Sequence, residues 1–255
     1  MRWLRISYKL PAVIVATALF ASIPAIARLL APGRRRTVGR IGALACRLWG
    51  RTMCAILSVR CDVAGPVPSE GVFLVAANHV SYIDILLLAS LYPSLFLAKR
   101  EIASWPVFGW IARGAGTIFI DREQAKDVVR AGREMSDRLD LGLPLTIFPE
   151  GRSSSGVSIL PFQPSLLEPA ARAGIPCWAA SISYETPGSS APPSRTICWY
   201  DSESLLTHFP RLVGLKNVVA RVRFAAVPVR SDDRKALATA LWEQASASFT
   251  PVRQS

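Results

Sequence analysis

Between Leu10 and Ala27 the chain carries no charged residue, in the run "LPAVIVATALFASIPAIA". Its 18 residues approach the roughly 20 that carry a helix across a bilayer. Such a run must lie in lipid or be covered by protein, so it constrains everything that follows it. Pro24 can kink a helix there, which allows a tilted or re-entrant segment. Arg2, Arg5 and Lys9 precede the run, and Arg28, Arg34, Arg35 and Arg36 follow it. The leading basic residues and the "AIA" at 25–27 also fit a cleavable secretory leader. The second basic cluster favours an anchor held at the cytoplasmic face of the inner membrane.

Charge points the same way. The chain carries a net +12, and residues 1–60 hold eleven basic residues and no acidic one. A basic excess suits nucleic acid or an anionic lipid surface. Here it flanks apolar sequence rather than aromatic stacking positions or a recognition helix, so membrane lipids are the expected partner and nucleic acid is not. The five cysteines (Cys46, Cys54, Cys61, Cys177 and Cys198) lie in apolar stretches with no C-x-x-C pair. They read as reduced core thiols, with neither a disulfide framework nor a metal site.

Residues 37–58 place Arg40, Arg47 and Arg51 on one helical face and Ile41, Leu44, Leu48 and Ile56 largely on another. That is an amphipathic helix, suited to the lipid interface or to packing on the first segment. Residues 1–58 are thus expected to form a membrane-anchoring helical hairpin, with residues 59–255 as one further domain.

From Val59 onward short β-branched runs alternate with helical patterns. Strands are expected at 59–63, 72–77, 95–99, 116–120, 144–148, 176–184, 195–200 and 218–226, and helices at 82–91, 105–113, 123–140, 163–173, 204–213 and 233–248. Several strands are apolar on both faces, as strands covered by helices on both sides are. The fold class is α/β, with a mixed, mainly parallel sheet flanked by helices.

In open sheets of this kind sites gather where strands end and helices begin. Three such places carry polar residues. In "VFLVAANHVSYIDILLLASL", residues 72–91, a buried strand exits at Asn78-His79 and a helix follows from Tyr82. Ser81 is expected to cap that helix, with Asp84 completing the cap. His79 and His208 are the chain's two histidines; His208 falls in a polar-faced helix with no evident partner. A histidine at a strand exit can act as a general base near neutral pH if its second nitrogen is oriented. Asp84 can do that, but only if the chain turns between them, because residues five apart on one helix lie about 140° apart. In "GAGTIFIDR", 114–122, a strand delivers Asp121 and Arg122, either as solvated charges or as an anion clamp. In "LTIFPEGRSSSG", 145–156, Pro149 stops a strand, Gly151 frees the backbone to turn, and Glu150 and Arg152 follow the buried strand directly.

These blocks together resemble the glycerolipid acyltransferase family, typified by 1-acylglycerol-3-phosphate acyltransferases. N-H-x4-D is present as Asn78-His79 with Asp84. G-x-x-F-I-x-R is present as Gly116, Phe119, Ile120 and Arg122. F-P-E-G-T-R-S appears as Phe148-Pro149-Glu150-Gly151-Arg152-Ser153-Ser154, and a hydrophobic-Pro strand opening as Ile175-Pro176. In the third block Arg152 follows Gly151 directly, where the family usually has Thr and then Arg. The continuation is similar to a bacterial branch, some of whose members acylate lyso-ornithine lipid.

The resemblance implies acyl transfer from an acyl thioester, on CoA or acyl carrier protein, to the free hydroxyl of a lysolipid. His79 would be the base and Asp84 its orienter. Gly116, Phe119, Arg122, Glu150, Gly151, Arg152 and Ser153 would form the acceptor site. No metal or other cofactor is implied, only the thioester as co-substrate. A serine hydrolase would want G-x-S-x-G, and G-R-S-S-S-G at 151–156 has one residue too many. Nucleotide chemistry lacks its phosphate-binding loops. A non-catalytic membrane-binding protein would leave the His-Asp pair and Glu150 idle.

Overall fold

The computed structural model describes residues 2–104, 109, 112–113, 116–121, 124–200 and 203–255. Seven strands form one sheet: β1 (Val59–Ala64), β2 (Leu74–Ala77), β3 (Leu95–Lys99), β4 (Ile118–Ile120), β5 (Leu145–Ile147), β6 (Cys177–Glu185) and β7 (Val218–Phe224), in the order β1-β7-β6-β2-β5-β3-β4. Every neighbouring pair is parallel except β6 with β7. The expected mixed, mainly parallel sheet is therefore observed. Strands β2 and β5 are buried at every position, the environment their unbroken apolar runs require.

Helices cover both faces. On one side lie α1 (Arg2–Leu30), α2 (Arg35–Leu57) and α3 (Ile83–Leu91), and on the other α4 (Ala125–Asp140), α5 (Glu168–Ala173) and, near the C-terminus, α8 (Arg234–Ala247). Two shorter helices, α6 (Pro193–Thr196) and α7 (Leu205–Val213), follow β6. The strand expected at 195–200 is instead the end of α6 and irregular chain, because Pro192-Pro193 starts a helix there. The helix expected at 105–113 lies largely outside the described residues. All five cysteines are unpaired.

The hairpin is one long helix packed on another. Pro24 and Pro11 sit inside α1 without ending it. α2 closes on Ser58 in the left-handed conformation at φ 59°. The hairpin is not an appendage: Val13, Cys46, Met53 and Leu57 share one core with Phe73, Leu87, Tyr92 and Phe148. α2 meets α3 at Gly50, where a Cβ would stand 2.6 Å from the Leu86 carbonyl oxygen, so no larger residue permits this approach. Both ends of the hairpin are tied to the sheet domain. At one end Arg5 Nε donates to the Gly214 carbonyl (2.8 Å), and Lys9 Nζ donates to Leu215 O (3.1 Å) and Ser58 Oγ (3.0 Å). At the turn between α1 and α2, Gly39 lies against the Leu143 side chain and Arg36 over Gly142. α1 is long and apolar enough to cross a membrane. It leaves Trp3, Leu4, Ile14, Val15, Leu29 and Leu30 exposed.

Candidate active site

The C-terminal ends of β2, β3, β4 and β5 lie side by side and deliver the candidate residues. At the end of β2 the Asn78 side chain continues the ladder that the backbone abandons. Its Nδ2 donates to Ile182 O (3.0 Å) and its Oδ1 accepts from Ile182 N (2.6 Å). This pins the exit of β2 to β6 and lets the chain turn sharply at His79.

The turn brings His79 and Asp84 together, with Nδ1 2.8 Å from Asp84 Oδ2. The same oxygen accepts the Val80 N–H (2.8 Å) and Ser81 N–H (2.9 Å), and Oδ1 accepts the Tyr184 hydroxyl (2.7 Å). Asp84 is completely buried, and four donors compensate its loss of solvent. Here the expected capping scheme is corrected. The Ser81 hydroxyl caps nothing and has no hydrogen-bond partner among the described residues. Asp84 instead reaches back to the N–H groups preceding its own helix. The imidazole is stacked on Phe148 at 4.2 Å between centroids, so its plane is held from the side as well as through Nδ1.

Glu150 follows the end of β5 and is buried. Its Oε1 accepts the His79 backbone N–H at 3.1 Å. Burial pushes its carboxyl up to about 8, and the Asp84 charge adds to this. The N–H groups of His79 and Leu160 and the Arg152 charge pull it partly back. At neutral pH Glu150 is therefore mainly protonated. Gly151, at φ +83°, supplies the left-handed turn that lets Glu150 point inward while the chain leaves the sheet.

His79 opens on a cavity of about 790 Å³ whose wall includes Lys99, Glu101, Arg152, Ser153 and Trp199. Arg152 and Lys99 also border a neighbouring space of about 640 Å³, whose lining includes Asp121 and Glu150. Ser153 Oγ donates to the Trp199 carbonyl, which ties down the loop after β5. Below the site a smaller apolar space of about 110 Å³ lies between the hairpin and the sheet. It is lined by Phe20, Ala45, Trp49 and Phe96, and it shares Ile85, Ala98 and Ile102 with the His79 cavity. Among the described residues no three His, Cys, Asp or Glu side chains are grouped to hold a metal ion.

Of the residues expected from sequence, the structure gathers His79, Asp84, Glu150, Gly151, Arg152 and Ser153. It does not bring Gly116 and Phe119 to this cavity. Gly116 sits before β4 at φ +81°, at the opposite end of that strand, and makes a turn over Leu95. Phe119 lies within β4, where its carbonyl accepts from Arg130. Arg122 is outside the described residues. His208, expected to be unpartnered on a polar face, is buried, and its Nδ1 lies 3.0 Å from the Tyr82 hydroxyl. Two residues escaped sequence reasoning. Lys99 ends β3 beside the site, a position that the strand-end rule covers. Tyr184, a hundred residues from Asp84, left no signal in the sequence.

A family model described as Acyltransferase matches residues 58–183. A 1-acyl-sn-glycerol-3-phosphate acyltransferase of Neisseria meningitidis serogroup B is 40% identical over 194 residues, spanning 74% of each chain. The chain belongs to the glycerolipid acyltransferase family. A lyso-ornithine lipid O-acyltransferase of Pseudomonas aeruginosa is 35% identical to this acyltransferase over 193 residues, 75% of this chain and 73% of that protein. The fold of the acyltransferase is that of the 1-acyl-sn-glycerophosphate (LPA) acyltransferase from Thermotoga maritima, whose crystal structure matches with a TM-score of 0.63 at 18% identity over 95% of both chains.

Proposed function

We propose that this acyltransferase moves a fatty acyl group from acyl-CoA or acyl carrier protein to the free hydroxyl of 1-acylglycerol-3-phosphate, giving phosphatidate. The observation that carries the reading is the His79–Asp84 pair, oriented at a strand exit and opening on a cavity that holds Lys99 and Arg152. With Nδ1 engaged by Asp84, Nε2 is the nitrogen left for substrate. Nε2 takes the acceptor hydroxyl proton as that oxygen attacks the thioester carbonyl. The tetrahedral intermediate collapses, the C–S bond breaks, and the imidazolium returns the proton to the departing thiolate. Asp84 holds the ring and stabilises its charged form. No enzyme nucleophile, metal or other cofactor takes part in this scheme. Lys99, Arg152 and Arg122 supply positive charge for the acceptor phosphate. Glu150, Gly151 and Ser153 shape the turn that presents them, and an acyl chain extends toward the apolar space under the hairpin.

The hairpin, residues 1–58, anchors the catalytic domain in a single leaflet. Were α1 to span the bilayer, the turn after it would lie on the far side, yet both ends of the hairpin touch the sheet domain. The inner membrane, with the catalytic domain on the cytoplasmic side, is the location consistent with the thioester donors and the flanking arginines.

A second acceptor is favoured by one observation. Glu101 and Asp121 face the cavity wall alongside Lys99 and Arg152, and this mixture of signs suits a zwitterionic head group such as that of lyso-ornithine lipid. The test is thiol release by purified protein in neutral detergent, with either lysolipid offered as acceptor. Wild type should release thiol only with an acceptor present, and the preferred lipid identifies the substrate. His79→Ala should lose at least about a hundredfold. An alanine variant with full activity would remove His79 from the mechanism.

A further inference from the structure

We propose that the turn of the hairpin holds a second anion site, separate from the acceptor cavity, which binds the phosphate head group of an anionic bilayer phospholipid. A cavity of about 530 Å³ opens between this turn and the C-terminal half of α4, lined by Arg28, Arg34, Arg35, Arg138, Glu134 and Asp137. Arg36 lies beside it, over Gly142. It shares no lining residue with the His79 cavity.

Arginines without a carboxylate partner among the described residues also occur elsewhere, Arg60, Arg195 and Arg253 among them, so what marks this turn is that four such arginines line one cavity. Among the described residues, Arg100, Arg130, Arg172, Arg211, Arg221, Arg223 and Arg234 each pair with a carboxylate. None of the five arginines at the hairpin turn does. Arg138 Nε is, in addition, buried without a hydrogen-bond partner. Glu134 is already taken by Arg130 at 2.6 Å, so Asp137 is the one carboxylate left to oppose five guanidiniums. Arg28, Arg34, Arg35 and Arg36 are exposed, so solvent screens part of their repulsion, and an anion that accepts from several guanidiniums at once gains a charge-assisted bond from each. The first turn of α2 has no side-chain cap and adds its own N–H groups to the same region.

The neighbouring surface selects a lipid over a soluble anion. Leu29 and Leu30, directly after Arg28, are 80% and 81% exposed. A phosphate seated among the arginines thus has its acyl chains next to apolar side chains that have no other cover. The site does not depend on the chemistry proposed for His79.

The experiment compares full-length wild type with Arg34→Gln/Arg35→Gln/Arg138→Gln by flotation on phosphatidylcholine vesicles with and without phosphatidylglycerol. The triple variant should lose roughly a hundredfold in affinity for the phosphatidylglycerol vesicles, at about a fivefold loss per charge. It should keep wild-type binding to pure phosphatidylcholine, and wild-type thiol release in neutral detergent. A control, Arg60→Gln/Arg195→Gln/Arg253→Gln, removes three exposed arginines elsewhere and should lose far less. Equal loss in the control would mean diffuse attraction and would overturn the site. Saturable binding of inorganic phosphate to wild type in detergent, abolished in the triple variant, would reassign the site to a soluble anion. Loss of detergent activity in the triple variant would assign these arginines to the reaction or the fold and equally overturn the proposal.

Discussion

Replacing Asp84 with asparagine separates the charge of this side chain from its geometry. The Val80 and Ser81 N–H groups and His79 Nδ1 all converge on Oδ2, so the asparagine oxygen must occupy that position. Its amide NH2 then faces the Tyr184 hydroxyl, which can rotate to accept. The three bonds to Oδ2 are kept, the Tyr184 bond is kept with its direction reversed, and the negative charge is lost. In the transition state a positive imidazolium sits about 4 Å from the carboxylate centre, and at an effective dielectric of about 20 that attraction is worth about 4 kcal/mol. The dielectric is appropriate because the His79 side chain is 21% exposed rather than sealed. At 1.36 kcal/mol per decade, kcat should fall about a thousandfold. The assay is thiol release at saturating donor and acceptor, with thermal denaturation to establish that the fold is kept. A folded Asp84→Asn enzyme that retains more than a tenth of wild-type kcat would refute the electrostatic role. The double variant with His79→Ala should be no slower than His79→Ala alone, because the two residues act as a unit.

Three other outcomes follow from the geometry. Tyr184→Phe leaves Asp84 Oδ1 buried without its 2.7 Å donor; it should lower stability by about 1–3 kcal/mol, read by urea unfolding, and reduce kcat by about tenfold as the carboxylate gains freedom. Glu150, with an ordinary carboxyl value of 4.5 in the unfolded chain and about 8 in the fold, binds more protons when folded. Its contribution to stability is therefore complete below about pH 4.5 and is lost as pH rises toward about 8. Thermal scans should show wild type losing more stability across that interval than Glu150→Gln, and parallel profiles would show that Glu150 is ionised throughout. Gly50→Val, which drives a side chain into the α3 backbone 2.6 Å away, should cost about 3 kcal/mol in denaturant titration, and a cost below about 0.5 would show that α2 can slide off α3 freely.

Much of the architecture is local in origin and was legible for that reason. The runs "VFLVAA" and "LTIF" can be buried only on both faces, so a helix-covered, mainly parallel sheet follows from them. The uncharged run after Lys9 demands a helix in or against an apolar medium. The His79–Asp84 pair was visible because a strand-to-helix junction is itself a local event, and Glu150 and Arg152 because they follow a buried strand at once. The assumption that failed was that neighbours in a motif share a site. Gly116 precedes β4 and sits at the far end of that strand from the His79 cavity, so belonging to a motif does not by itself bring a residue to the site.

What the amino-acid order determined by itself was the inventory: an apolar basic-flanked hairpin, an α/β sheet, and a histidine with an aspartate at a strand exit. The strand order was decided by the tertiary structure, and with it every partner that lies far away in sequence. β6 beside β2 brings the Tyr184 hydroxyl to Asp84 and the Ile182 backbone to Asn78. β3 beside β5 brings Lys99 to the wall of the His79 cavity. Packing of the hairpin turn against α4 assembles five arginines that are scattered over two segments. Long-range hydrogen bonds and charge clusters of this kind leave no periodicity in a chain, because each depends on which surfaces the whole core buries together.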